Sequence, residues 1–301
     1  MVLWHRLALG LALAAAACGV DDNRSYGGDS GADADADSDS DADADSDADS
    51  DSDADGGPGD GCSEDSMYVY VVDLDKKLYR FDPEAAPADA FELAGTIDCP
   101  SAGSPYALGM TRDDIVYVLY TGGVSACEIF AVSILDASCI GATAFTCDNP
   151  TFQMFGMGSA TDGPGDTHDT LYIGSSTQLA SLDTETWEIA PIGPVENTPD
   201  MSGNGNGDLF AFFAWTSPPR VSRLDKTDAT EHDTVALPQL AGVGAFAFAT
   251  WGGDGWIFDD VGHSSTWVYR LHDGVLSTHL EDTGLTIVGA DTSTCAPVVI
   301  E

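Results

Sequence analysis

Three adjacent carboxylate pairs are the residues best equipped for chemistry: Asp113-Asp114, Asp259-Asp260 and Glu281-Asp282. Such pairs can ligate Ca2+ or divide the roles of acid and base. Each falls where a strand gives way to a turn, and turn formation accounts for it. The histidines of the C-terminal four-fifths (His168, His232, His263, His272 and His279) are scattered, and no spacing brings two together. There is no HExxH helix, no GxSxG elbow and no phosphate-binding loop. Gly203-Asn204-Gly205-Asn206-Gly207-Asp208 is glycine-rich but lacks the GxGxxG spacing, and it reads as a turn between strands. The sequence therefore names no catalytic residue, no metal-ligand set and no cofactor. Two tryptophans remain as a candidate binding face, Trp215 beside Ser217-Pro218-Pro219 and Trp251 beside two glycines. Exposed aromatics of this kind stack on sugars or anchor a protein partner.

These residues sit in a repeat. Leu78-Tyr79-Arg80-Phe81-Asp82 returns as Glu128–Val132, Leu179–Asp183, Val221–Asp225 and Val268–His272, about every 40 to 50 residues. Around each copy lie short β-branched and aromatic runs separated by Gly, Asp and Thr turns. The Asp at the end of the motif predicts an Asx-type turn. Predicted strands surround it: Met67–Val72 and Phe91–Ile97 in the first unit, then Tyr106–Met110, Ile115–Tyr120 and Ile140–Thr146 in the second. The third unit has Phe152–Met157, a long loop at Ser159–Asp169, Thr170–Gly174 and Trp187–Ile192. The fourth has Asp208–Ala214 and His232–Leu237, and the fifth Gly244–Thr250, Gly255–Asp260 and Val275–Leu280. No helical period appears. The expected fold class is all-β: a single β-propeller of five four-stranded blades, ahead of six blades or a β-sandwich.

The first unit lacks an innermost strand, and Leu285–Asp291 is an innermost strand with no blade after it. Pairing that segment with Met67–Val72 closes the ring and removes two open edges. Cys62 and Cys295 then meet at one end of a blade, which predicts a disulfide between them. Centring a hairpin turn on Ala137 sets Ile134 against Ile140 and Cys127 against Cys147. Cys99–Cys139 is the remaining pair, and Cys127–Cys139 is the main rival if the register slips. None of the cysteines is spaced as CxxC, which argues against a structural zinc site.

The chain has 301 residues, 51 of them acidic and 10 basic, for a net charge of -41. With no basic footprint, nucleic acid is excluded as a partner, and so is adhesion to anionic lipid. The charge favours a soluble monomer. Residues 19–61 form a linker of Asp, Ala, Ser and Gly, with Asp at every second position from Asp33 to Asp55. It has nothing apolar to bury and repels itself, so it is expected to stay disordered and extended. It lacks the glycines and bidentate Glu of a closed calcium loop, and would hold Ca2+ only weakly and collectively.

Residues 1–18 read as a signal segment: His5 and Arg6, an apolar run from Leu7 to Ala17 too short to span a bilayer, then Cys18. Ala15-Ala16-Ala17-Cys18-Gly19 resembles the lipobox of bacterial lipoproteins, although Ala15 stands where that family usually has Leu. The resemblance implies lipidation of Cys18 and membrane attachment through the lipid alone. An Asp after the cysteine signals inner-membrane retention in that family. Gly19 stands here, so the outer membrane is implied.

Residues 62–301 resemble secreted propeller repeats, above all the acidic-linker propeller lipoproteins of Gram-negative bacteria such as myxobacteria. The resemblance is carried by Leu78–Asp82, Phe155-Gly156-Met157-Gly158, Trp251-Gly252-Gly253-Asp254 and Ser293-Thr294-Cys295-Ala296-Pro297. Trp251–Trp256 also resembles, in part, the Asp-box turn of sialidase-like propellers. The Ser or Thr ahead of the Asp and the later Trp are misplaced for that box, whose role is structural in any case. The expectation is an exported lipoprotein of the cell envelope. Its propeller would be a non-enzymatic binding or scaffold module for an unknown protein or glycan at the cell surface. The alternative is a propeller lyase or hydrolase with an acidic, Ca2+-dependent channel site. That alternative requires a histidine and a carboxylate converging at one mouth of the channel.

Overall fold

The structure, a computed structural model, describes residues 61–122, 127–240, 244–260 and 264–299. The signal segment with Cys18, the Asp-rich run as far as residue 60, and His263 lie outside the described residues. Among the described residues, twenty strands follow a short 3-10 turn at Asp65–Met67. The first three are β1 (Val69–Asp73), β2 (Lys77–Phe81) and β3 (Phe91–Thr96). A second blade comprises β4 (Ser104–Thr111), β5 (Ile115–Thr121), β6 (Cys127–Ser133) and β7 (Cys139–Ala142). The third comprises β8 (Gly156–Thr161), β9 (Asp169–Gly174), β10 (Gln178–Leu182) and β11 (Ile189–Pro194). The fourth comprises β12 (Asp200–Gly203), β13 (Leu209–Phe213), β14 (Arg220–Leu224) and β15 (Glu231–Ala236). The fifth comprises β16 (Phe246–Trp251), β17 (Asp254–Asp259), β18 (Trp267–His272) and β19 (Val275–Leu280), and β20 (Ile287–Thr292) ends the series. Every sheet has four antiparallel strands, and the first has the order β20-β1-β2-β3. The innermost strands β20, β4, β8, β12 and β16 touch in a closed ring. The chain is a five-bladed β-propeller, not a sandwich and not a six-bladed ring.

The repeated motif is the third strand of each blade. In β2, β10 and β14 the second, third and fifth positions are buried and the others half-buried. This is not the simple alternation of a one-sided sheet, because both faces of a blade pack against neighbouring blades. Its following turn is built alike in blades two to four. Asp183 and Asp225 accept the amides of Glu185 and Thr227 on Oδ1, and Ser133 does the same for Leu135 through its hydroxyl. The turn closes through a left-handed residue, Ala137, Trp187 or Ala229. In all five blades the outer strand then meets the motif strand through a bulge. Bulges twist an outer edge and break its ladder, which blunts the edge toward other chains.

Turns of one blade seat against the outer strand of the blade before. A Cβ on Gly193 in β11 would lie 2.0 Å from the carbonyl oxygen of Asp228 in the turn of the fourth blade. Gly193→Ala is therefore expected to cost about 1–3 kcal/mol by overpacking. Gly163→Ala, with nothing near its Cβ, should stay within about 0.5 kcal/mol of the parent. Urea denaturation of the two variants checks this. Equal midpoints would mean that the turn yields without cost.

Ring closure runs through β20 and β1, with Val69 opposite Thr292 and Val71 opposite Ala290. Cys62 is bonded to Cys295, Cys99 to Cys139 and Cys127 to Cys147. The hairpin register differs from the expected one. Val132, not Ile134, begins the pairing and faces Cys139, and Ile140 is the extra residue of the bulge. The outer strand stops at Ala142, and the segment beyond it carries Cys147 back to Cys127. Three further corrections concern strands. β12 has no counterpart in the sequence reading. Ser159–Thr161, expected in a loop, belongs to β8. Phe152–Phe155, expected in a strand, is irregular, with Phe152 and Phe155 fully buried in the core.

Candidate functional site

The five innermost strands line the axis of the ring, and their residues there are small or polar. Gly158 lets two of them close in, since its Cβ would sit 2.4 Å from the backbone of Met201. Asp291 on β20 and Asp200 on β12 are buried, with Ser159, Thr161, Ser202, Thr250 and Thr292 around them. A ring of innermost strands leaves amides without ladder partners, and these side chains supply acceptors. Asp291 accepts the amides of Met110 and Ser159 on Oδ2 and that of Thr292 on Oδ1. Asp200 accepts the Phe248 amide on Oδ2 at 2.8 Å. The Thr250 amide donates to Ser202 Oγ, and the Thr292 hydroxyl to the Thr250 carbonyl. Burial pushes both carboxyls well above the usual carboxylate range, and the charge of Asp291 adds to the shift of Asp200. The Asp200 carboxyl also takes backbone hydrogen bonds from Met201 and Met157.

Asp200 borders a pocket. The N-terminal ends of all five innermost strands enclose about 300 Å3 at one mouth of the channel. Its lining includes Pro105 and Tyr106 of β4, Gly156 of β8, Asp200 of β12, Phe246 of β16 and Val288 of β20. Trp215, from the loop between β13 and β14, completes it. Tyr106 is the extra residue of a bulge in β4, a device that re-aims a side chain. Burial, with Asp200 nearby, pushes its phenol up to about 12. Trp215 is 48% exposed and meets Phe246 edge-to-face, with centroids 5.2 Å apart. Its loop is pinned at both ends. Thr216 Oγ1 donates to the Phe213 and Pro218 carbonyls, across a cis Ser217–Pro218 peptide. Arg220 stacks on the Phe213 ring and holds Glu231 through two hydrogen bonds of 2.8 and 2.7 Å.

The two tryptophans of the expected binding face part company here. Trp215 lines the pocket. Trp251 is only 6% exposed, and its indole N–H donates to the Met67 carbonyl at 2.7 Å. The double glycine beside it serves a tight turn whose Gly252 amide donates to Pro297, and Trp251 packs between blades while bordering the cavity at the other end of the channel.

The carboxylate pairs do not form a joint site. Asp114 accepts the Ser63 hydroxyl, Asp260 the Ala245 amide, and Asp282 the hydroxyls of Ser264 and Ser265. No described histidine lines the pocket. His168 is exposed near Asp162, and His232 lies on the outer strand β15. His279 is the bulge residue of β19, packed against Trp256 and Phe81. His272 Nδ1 lies 2.6 Å from Asp254, which Arg270 also holds at 2.5 Å. Asp254 faces a second cavity of about 410 Å3, at the other end of β12, β16 and β20, and His272 stands outside its lining. Among the described residues no group of three or more His, Cys, Asp or Glu could hold a metal ion.

Neither a family model nor a curated protein matches this sequence. Similar solved structures include that of a nidogen–laminin complex, at 10% identity over 74% of this chain and 97% of that chain, with a TM-score of 0.48. A protein of unknown function from Bacteroides caccae matches at 10% identity over 74% of this chain and 84% of that one, TM-score 0.42. A TolB-like protein from Agrobacterium tumefaciens matches at 11% identity over 70% and 80%, TM-score 0.43. These likenesses are remote, and the assignment of the fold rests on strand order and ring closure.

Proposed function

We propose that this chain is an exported lipoprotein whose propeller is a non-enzymatic binding module. Its ligand seat is the aromatic pocket at the channel mouth. One observation carries the reading: a pocket at the channel mouth is walled by Tyr106, Trp215 and Phe246 and bordered by the buried Asp200. Pockets of this kind, largely apolar with few polar groups, orient small ligands or single side chains. Three disulfides support an oxidising compartment. The signal segment, Cys18 and the acidic linker support tethering to the envelope, with the outer membrane implied by Gly19. Fully stretched, the linker's roughly 40 residues would reach on the order of 130 Å at ~3.3 Å each.

Indole N–H resonances in a fragment titration test the seat. The Trp215 signal, identified with Trp215→Phe, is expected to be the one that moves. Shifts confined to other tryptophans would remove the pocket from the proposal. For the tether, Cys18→Ser is expected to move the chain from the membrane to the soluble fraction, and retention in the membrane would contradict lipidation.

A further inference from the structure

We propose that the cleft between the fourth and fifth blades docks a basic, apolar protein segment: an aliphatic side chain enters between the blades, and Lys or Arg beside it meets an acidic rim. The cleft lies at the end of the ring opposite the channel-mouth pocket and does not depend on it. It exists because one junction departs from the repeat. Gly95 in β3 and Gly193 in β11 stand opposite the second residue of their motif strands, Leu78 and Leu179. There the turn of the next blade presses in, so closely that a Cβ on either glycine would clash with a carbonyl oxygen, of Asp136 or of Asp228. Val235 in β15 holds the same register, opposite Val221. The turn that it meets is also shorter. Residues 225–230 join β14 to β15, whereas only Asp273 and Gly274, both at positive φ, join β18 to β19. A Cβ on Gly274 would make no more than ordinary contact with Val235, at 3.9 Å. A side chain on one wall and a two-residue hairpin on the other leave an opening of about 410 Å3.

The floor of the cleft is apolar. Phe210, Val221, Val235, Phe248 and Leu271 line it, all from the core packed between these two blades. The rim is acidic. Asp233, Asp254 and Asp273 line it, and among the described residues no Lys, Arg or His does. The cations behind them do not balance them. Arg223 pairs with Asp233 and, at 3.9 Å, with Asp208, and Arg270 pairs with the buried Asp254. Four carboxylates against two guanidinium groups leave two negative charges. His272, beside Asp254 and Asp273, offsets one of them only when protonated. An apolar slot with a negative rim is complementary to an apolar residue flanked by Lys or Arg. A second copy of the chain carries the same net charge of -41 and is repelled, as is an anionic polymer. The volume is near the lower end of ligand sites, which suits a side chain or two of a partner.

The test is an NMR titration of the full chain with three blocked tripeptides: Lys-Leu-Lys, Glu-Leu-Glu and Lys-Gly-Lys. Lys-Leu-Lys should shift the methyl signals of Val235 and Leu271 and leave the Trp215 indole, at the other mouth, unmoved. It should bind at least about tenfold more tightly than either of the others, since one lacks the charge and the other the apolar side chain. Raising salt from about 0.05 M to about 0.5 M should weaken it several-fold. Asp273→Asn, at an exposed position, should weaken it about two- to fivefold with no change in urea midpoint. Val235→Phe fills the slot and should abolish the preference for Leu over Gly. No binding, equal binding of Glu-Leu-Glu or of Lys-Gly-Lys, or an unaffected Val235→Phe variant would each overturn the proposal. So would cleft signals that follow protein concentration and not peptide, which would assign the cleft to a second copy. Signals that move only on removal of Ile300 and Glu301 would assign it to the chain's own end and overturn the proposal equally.

Discussion

A chain carrying Cys62→Ser with Cys295→Ser is expected to lose about 5 kcal/mol of stability. The bond joins residues 233 apart in sequence, and in the chain-entropy model the gain grows with the logarithm of the loop it closes. Its place in the fold makes the loss specific. Cys62 precedes β1 and Cys295 follows β20, so the bond reinforces the one blade made from both ends of the propeller. Few other devices share that task. Ser293 Oγ donates to the Ser66 carbonyl, and Trp251 reaches Met67. Removing the Cys127–Cys147 bond, which closes a separation of 20, should cost about 3 kcal/mol on the same model. Urea midpoints of the two double-serine variants decide it. If opening the ring closure costs no more than opening the local hairpin, the closing bond is not what holds the circle.

Asp291→Ala is expected to be nearly as damaging, at about 3 kcal/mol or more. It removes the acceptor for the amides of Met110, Ser159 and Thr292 together, and each buried donor left unpaired costs about 1–3 kcal/mol. Asp291→Asn keeps an oxygen acceptor and should cost less. The pH response separates these effects further. The carboxyls of Asp291 and Asp200 have folded pKa values raised well above the unfolded one. The folded state therefore binds their protons more tightly. Their contribution is fully present below the ordinary carboxylate pKa and is lost as pH rises through the raised values. Glu231 works the other way. Arg220 lowers its pKa, so its contribution is lost only as pH falls below the ordinary range. Thermal unfolding should thus show stability declining from about pH 5 upward, and a double variant combining Asp200→Asn with Asp291→Asn should flatten that decline. A wild-type chain that gains stability from pH 5 to pH 8 would show that the two carboxyls are ionised in the fold.

The parts of the structure that were legible in the sequence are those where hydrophobic pattern and turn chemistry agree. The third strand of each blade packs both faces, so its Leu, Tyr, Phe and Val recur, and the Asx turn after it needs an Asp or Ser at a fixed place. Closure was legible because an unpaired strand at one end had to match a missing strand at the other. The axis was not legible. β12 is Asp-Met-Ser-Gly, wholly buried yet almost without apolar side chains. Five strands crowd around one line, where small residues fit and hydroxyls and carboxyls serve amides that no neighbouring strand can reach. Hydrophobic periodicity has no hold there, and Ser159-Ala160-Thr161 reads as a loop for the same reason. The pocket inherits this. Asp200, which borders it, stands in a strand that sequence patterns do not reveal, and Tyr106 and Phe246 come from two other blades. Trp215 announces itself through the prolines beside it. Trp251 reads as exposed by the same logic, but its ring is needed between blades.

The pairing of β20 with β1 has a consequence for how the protein is made. A chain is synthesised with its N-terminal end first. β1 and β2 would appear early, whereas the strand that completes their blade comes some 215 residues later, after every other blade has appeared. During that interval one edge of β1 is a row of unsatisfied amides and carbonyls. At translation rates of about 5–20 residues per second, the wait lasts on the order of ten seconds or more. The first blade is thus the last to be finished, and a nascent chain is most open to mispairing at its N-terminal blade.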